Sequence, residues 1–117
     1  MRLNEVTYTD AVPIDGYGPG FFRVGDEVRD APLAILPSGV AAWGGFDDIE
    51  TLLAASGTVD FVLIGTGADV AHIPAALREA LEGAGIGVEV MSTPSACRTY
   101  NVLLAEDRRV ATALIAI

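Results

Sequence analysis

The sequence predicts an α/β fold in three layers. A central mixed sheet carries parallel βαβ units in the C-terminal two-thirds, and the N-terminal third adds an antiparallel β-hairpin layer. Three observations carry this prediction. Up to Trp43, apolar and polar residues alternate around glycine-containing turns. After Phe46 the apolar spacing lengthens to that of a helix, and helical and strand-like stretches follow one another as α-β-α-β-α-β. Such alternation implies parallel strands joined by right-handed crossovers, with helices covering the sheet. The chain has 117 residues, 51% of them apolar, which suits one domain over 1–117 with one real core.

Asp15 to Gly20 (DGYGPG) reads as a loop, since glycine and proline fill most of it. FFRVGDEVRD alternates on both sides of Gly25-Asp26, a pair suited to a two-residue hairpin turn of type II′. PLAILPSGVAAW repeats the pattern: an apolar run, a turn at Pro37-Ser38-Gly39, and a second run to Trp43. These hairpins cannot enter a sheet as parallel crossovers, so they are expected to supply antiparallel strands.

Asp47 is expected to cap the first helix, with Glu50 as its capping-box partner and Ile49, Leu52 and Leu53 as its apolar stripe. Gly57 ends it. Val59 to Ile64 reads as a strand covered on both faces. Pro74 opens the second helix, where Ile73, Leu77, Ala80, Leu81 and Ala84 recur at helical spacing. Gly83 and Gly85 stop it. IGVEVM is a further strand. Thr93 is expected to cap the third helix, with Pro94 at its first position, and the helix runs to about Glu106. VATALIAI is the last strand.

Charge and composition exclude several chemistries. The net charge is −9, from 7 basic and 16 acidic residues. A polyanionic partner is repelled at long range, so nucleic acid is not expected. All the basic residues are arginines, so a P-loop lysine, a Schiff-base lysine and a lysine general base are missing. The single histidine, His72, and single cysteine, Cys97, cannot build a Cys/His metal cage or an intramolecular disulfide. No metal and no cofactor are expected. The apolar runs are too short to span a bilayer. Met1 to Asp10 shows no basic or apolar leader pattern. The expectation is therefore a soluble, cytoplasmic chain without a transmembrane segment.

Two stretches carry the candidate site. In FVLIGTGAD an apolar strand runs into Gly65-Thr66-Gly67. A dinucleotide fingerprint needs a third glycine directly before a helix, but Val70 stands there, the helix waits until Pro74, and Asp69 opposes an anion. A Walker A loop fails for want of lysine. The reading is a glycine-permitted strand exit; the alternative is a pocket whose backbone N–H groups hold a small ligand or a peptide carbonyl. The second stretch is STPSACRTYNVLLAEDRRV. On a helical wheel Ala96, Cys97, Tyr100, Leu103 and Leu104 share an arc, with Arg98, Thr99 and Glu106 opposite and Asn101 at the flank. Cys97 reads as a buried, inert thiol. Tyr100 reads as a packed ring with a locally satisfied hydroxyl. Asn101 is expected to bond a neighbouring loop, with the Gly65–Gly67 turn as a candidate. Arg108 and Arg109 suit the helix C-terminus. His72 reads as a surface residue beside the turn, and Trp43, Phe46, Phe21 and Phe22 as packing.

The matched residues Gly65-Thr66-Gly67, Gly85-Ile86, Val88-Glu89-Val90, Thr93-Pro94, Ala96-Cys97, Thr99, Tyr100-Asn101, Leu103 and Arg109 resemble a known family. So do the GYGPGFF and LPSGVAAW segments. It comprises small bacterial and archaeal domains of unknown function, to which mitochondrial complex I (NADH dehydrogenase) assembly factor 3 and a vertebrate adipogenesis-associated protein are similar. The resemblance implies a compact three-layer α/β domain. It brings no established catalytic activity or cofactor, so no catalytic residue is carried over, and it implies action through a protein partner. The expected function is a non-catalytic binding or assembly module. The alternative is a small-molecule-binding protein or enzyme using a pocket between the turn and the helix after Thr93. For either, the candidate contacts are Gly65, Thr66, Gly67, Thr93, Arg98, Tyr100 and Asn101.

Overall fold

The computed structural model describes residues 12–117. The leader-free reading of Met1 to Asp10 lies outside the described residues. Strands β1 (Ile14–Gly18), β2 (Phe21–Val24) and β3 (Glu27–Asp30) form a three-stranded antiparallel sheet. β4 (Leu33–Leu36) and β5 (Gly39–Ala42) make the second hairpin. Then follow α1 (Ile49–Leu53), β6 (Phe61–Gly65), α2 (Ala75–Gly83), β7 (Gly87–Met91), α3 (Thr93–Ala105) and β8 (Val110–Leu114). The second sheet has the order β5-β4-β8-β6-β7, with β6 parallel to β7 and β8, and β4 antiparallel to β8. The expected mixed sheet and added antiparallel layer are both present.

Strand alternation divides the apolar residues between two cores. Ala34, Leu36, Val62, Ile64, Ala111 and Ala113 face α1 and α2, where Leu52, Leu77 and Leu81 are buried. Leu33, Ile35, Leu63, Val110 and Leu114 face the other way, toward Ala96, Cys97 and Tyr100 of α3. Ile14, Phe22 and Val24 of the small sheet complete this second core. Each fully buried Leu or Phe contributes roughly 1.5–3 kcal/mol by leaving water, so both sheet faces are strongly specified. Trp43 is buried and meets Phe46 edge-on, with ring centroids 5.9 Å apart.

Four local expectations are corrected. DGYGPG is not a loop: most of it is β1, paired with β2. Gly18 lies close under the Phe21 ring, where a Cβ would come within 2.5 Å of it. The Gly25-Asp26 turn has positive φ at both residues, 57° and 68°, which is type I′ rather than II′. Asp48, not Asp47, caps α1, accepting from the Thr51 N–H at 3.1 Å and the Thr51 hydroxyl at 2.7 Å. The Thr51 hydroxyl and the Gly44 N–H hold the Asp48 carboxyl below its ordinary range. Ser92, not Thr93, caps α3, which leaves the Thr93 hydroxyl to other partners. α2 stops as expected: Gly85 takes φ 84°, and the Ile86 N–H closes on the Leu81 carbonyl at 2.9 Å.

Candidate functional site

The connection β6-α2-β7 moves to one side of β6, and β7-α3-β8 returns across it to the other side. The two helices pack on opposite faces of the sheet. Open α/β sheets take ligands at such a reversal, outside the carboxyl ends of the strands. Here that position is held by Gly65, Thr66 and Gly67 after β6, the first turn of α3, and Ile115 after β8.

The three pieces are stitched together. Gly67 N–H donates to the Thr93 hydroxyl oxygen at 2.8 Å, and that hydroxyl donates to the Ile115 carbonyl at 2.9 Å. Thr93 N–H donates to the Gly67 carbonyl at 2.7 Å, and Ile115 N–H to the Gly65 carbonyl at 3.0 Å. Thr93 is fully buried. Gly65 has to be glycine, since a Cβ there would sit 2.8 Å from the Thr93 Cα, a main-chain atom that cannot swing aside. Gly67 has φ 109°, a conformation L side chains rarely adopt. Thr66 serves the loop itself: its N–H donates to Met91, its hydroxyl donates to the Asp69 carbonyl at 2.8 Å and accepts from Ala71 at 3.0 Å.

The remaining candidates lie elsewhere on α3. Tyr100 is fully buried and donates to the Val12 carbonyl at 3.3 Å; burial pushes its phenol pKa up. Asn101 bonds β1 rather than the Gly65–Gly67 turn. Its side chain accepts from Ile14 N–H and donates to the Ile14 carbonyl, both at 2.8 Å, as a neighbouring strand would. Arg98 is exposed and, among the described residues, donates to the Ser95 hydroxyl at 3.3 Å. Thus Gly65, Thr66, Gly67 and Thr93 form one cluster, Tyr100 and Asn101 a second that fastens β1 to α3, and Arg98 stands on the surface. Cys97 is buried, and desolvation raises its thiol to about 11, against a small opposing effect of the Arg98 charge. His72 is exposed and borders a depression of about 340 Å³ with Val70, Ile73 and Arg78.

A larger feature escaped sequence reasoning. Between α3 and the outermost strand β7 runs a groove of about 540 Å³. Phe61, Leu63 and Met91 of the sheet and Leu103 of α3 line it, with Glu89 and Arg108 among its polar groups. Arg108 places its guanidinium carbon 5.5 Å from the centroid of the Phe61 ring. The available signal was the alternation in Gly87-Val-Glu-Val-Met91, which sets a charge amid apolar residues.

A family model described as "Protein of unknown function (DUF498/DUF598)" matches residues 14–115. An uncharacterized protein of Rhodobacter capsulatus is 50% identical over 115 residues, covering 98% of this chain and 93% of that one. The NADH dehydrogenase [ubiquinone] 1 alpha subcomplex assembly factor 3 of Danio rerio is 34% identical over 109 residues, which cover 87% of this chain and 63% of the relative. This chain therefore spans less than two-thirds of that assembly factor's length. Among solved structures, one described as an outer membrane protein from Bartonella henselae has a TM-score of 0.85 at 39% identity, covering 94% of this chain and 98% of that one. A Bordetella pertussis protein described as a Mth938-like domain has a TM-score of 0.74 at 28% identity, covering 99% and 92%. No helix among the described residues is long and apolar enough to cross a membrane.

Proposed function

The chain belongs to the DUF498/DUF598 family, and from that premise we propose that it is a non-catalytic protein-binding module of the assembly-factor kind. The observation that carries this reading is the use made of the Gly65–Gly67 loop. A loop that held a phosphate or carboxylate would keep its amides for the ligand. Instead the Gly67 N–H is taken by Thr93, whose hydroxyl is itself spent on Ile115. The buried, raised-pKa thiol of Cys97 also disfavours nucleophilic chemistry. Relatives named as assembly factors for NADH dehydrogenase support action through a protein partner, and in this reading the process served is assembly of a respiratory complex of that kind.

In this reading Gly65, Gly67 and Thr93 stiffen the junction, while Tyr100 and Asn101 fix the small sheet against α3. The surface offered to a partner includes the loop 66–73 and the exposed flank of α3 at Arg98. Affinity capture from native extract, with the wild type and Arg98→Glu in parallel, tests it. The expected result is one discrete protein partner whose recovery falls with the variant. A thermal-shift panel of nucleotides, acyl compounds and carboxylates tests the alternative. A ligand at about 100 times its Kd adds roughly 2.7 kcal/mol of stability. A shift of that size from any of these classes, with no partner captured, overturns the proposal.

A further inference from the structure

Among the described residues, β7 pairs only with β6, and no described strand covers its other edge. The main-chain pairing says which groups face outward. Gly87 N–H donates to Asp60 and the Met91 carbonyl accepts from Thr66, both on the β6 side. In a parallel ladder alternate residues bond to the same neighbour, so the N–H and C=O of Val88 and Val90 face away from the sheet. The side chains of Gly87, Glu89 and Met91 belong to the α3 face, where the 540 Å³ groove lies beside them. An unpaired edge next to an apolar groove has the parts that strand addition uses: main-chain bonds for affinity and side-chain pockets for selectivity.

The charge on β7 identifies the occupant. Glu89 is the midpoint of this five-residue strand and is exposed. The ion pairs among the described residues are Arg29–Glu27, Arg78–Glu82 and Arg109–Asp60, none of which engages it. A second copy pairing antiparallel about the strand's centre would set Glu89 against Glu89, and like charges directly opposite are unfavourable. A basic side chain there is favourable. At the Gly87 end β7 carries no side chain, and the half-buried Phe61 ring beneath Arg108 offers an apolar surface. At the other end the half-buried Met91 side chain offers a second apolar contact.

We propose that the outer edge of β7 captures an extended segment of a different protein, added as a sixth strand, with a basic residue opposite Glu89 and apolar residues two positions to either side. This rests on the reading of the chain as a protein-binding module, and it supplies the chemistry of the partner segment.

The test is selection of displayed random peptides, roughly nine residues long, on the full chain. Binding of the selected peptides is then measured for wild type, Glu89→Arg and Val88→Pro. The expected result is enrichment of the pattern apolar-x-basic-x-apolar, with the Val88 and Val90 amides shifting in NMR titrations. Glu89→Arg should weaken such a peptide about tenfold or more, and replacing the peptide's basic residue by glutamate should restore binding to that variant. Val88→Pro removes an outward N–H at an edge, where proline is tolerated, and should abolish binding; if it does not fold, the charge exchange at Glu89 decides alone. Enriched peptides that shift loop 66–73 and Arg98 instead overturn the inference and leave the binding-module reading standing. Failure to enrich any peptide also overturns it, and that reading is then judged by capture from extract. If Glu89→Val causes self-association through β7 and no peptide binds the wild type, Glu89 only guards the edge, which again overturns the inference.

Discussion

At the junction of Gly65–Gly67 with Thr93 and Ile115, the main chain is turned inward. The Gly67 amide, the Thr93 hydroxyl and both polar groups of Ile115 have partners within the fold. Along β7 the reverse holds: Val88 and Val90 present their amides and carbonyls at an edge that no described strand covers. Both regions look alike in the sequence, as apolar strands punctuated by glycine. What separates them is a partner distant in sequence. Thr93, 26 residues after Gly67, closes the first region. The difference teaches that a glycine-rich strand exit is chemically available only if nothing in the fold has already claimed its amides.

The largest expected effect breaks the closed region. Thr93→Val keeps the shape but strips the buried Gly67 N–H and the part-buried Ile115 carbonyl of their partner. The cost should be about 3 kcal/mol in urea unfolding, at about 1–3 kcal/mol per unsatisfied group, and Thr93→Ser should recover most of it. Gly65→Ala should cost about 2 kcal/mol, because its Cβ meets the Thr93 main chain. A cost near zero for both would mean that the junction is loose. Asn101→Ala should cost about 1–2 kcal/mol and accelerate hydrogen exchange at Ile14, since two bonds fastening β1 to α3 are lost.

A pH effect of similar or smaller size sharpens the account of α3. The Cys97 thiol rises from an ordinary 9.0 to about 11 in the folded chain. The unfolded chain therefore releases this proton first, and stability present below about pH 9 is lost as pH climbs toward 11. By pH 10 the loss should be about 1 kcal/mol, and Cys97→Ala should flatten that part of the curve. Burial of Tyr100 acts in the same direction at higher pH. The smallest effect belongs to the open edge: Glu89→Gln should change stability by less than about 0.5 kcal/mol, because Glu89 makes no ion pair among the described residues.

The order of helices and strands was legible because it rests on local apolar spacing. The hairpin at Gly25-Asp26, the covered strand before Gly65 and the glycine stop after α2 follow from neighbouring residues alone. Where a distant contact decided, local reading misplaced the element. DGYGPG has loop composition, yet Asn101 supplies a strand-like partner to Ile14 from 87 residues away. Ser92 and Thr93 both suit a cap, and the choice falls to Ser92 once Gly67 and Ile115 engage the Thr93 hydroxyl. The candidate residues Gly65, Thr66, Gly67 and Thr93 do meet, whereas Asn101 turns to β1 and Arg98 to solvent. The open edge of β7 was illegible, because strand order is set by crossovers and not by the residues of the strand itself.

Residue-resolved amide hydrogen exchange on the folded protein tests the contrast between the two regions most directly. The Gly67 amide should be strongly protected, opening only with large-scale unfolding, while the Val88 and Val90 amides should exchange orders of magnitude faster. A rapidly exchanging Gly67 amide that becomes protected on adding inorganic phosphate would contradict the account, since the loop would then hold its amides for a ligand.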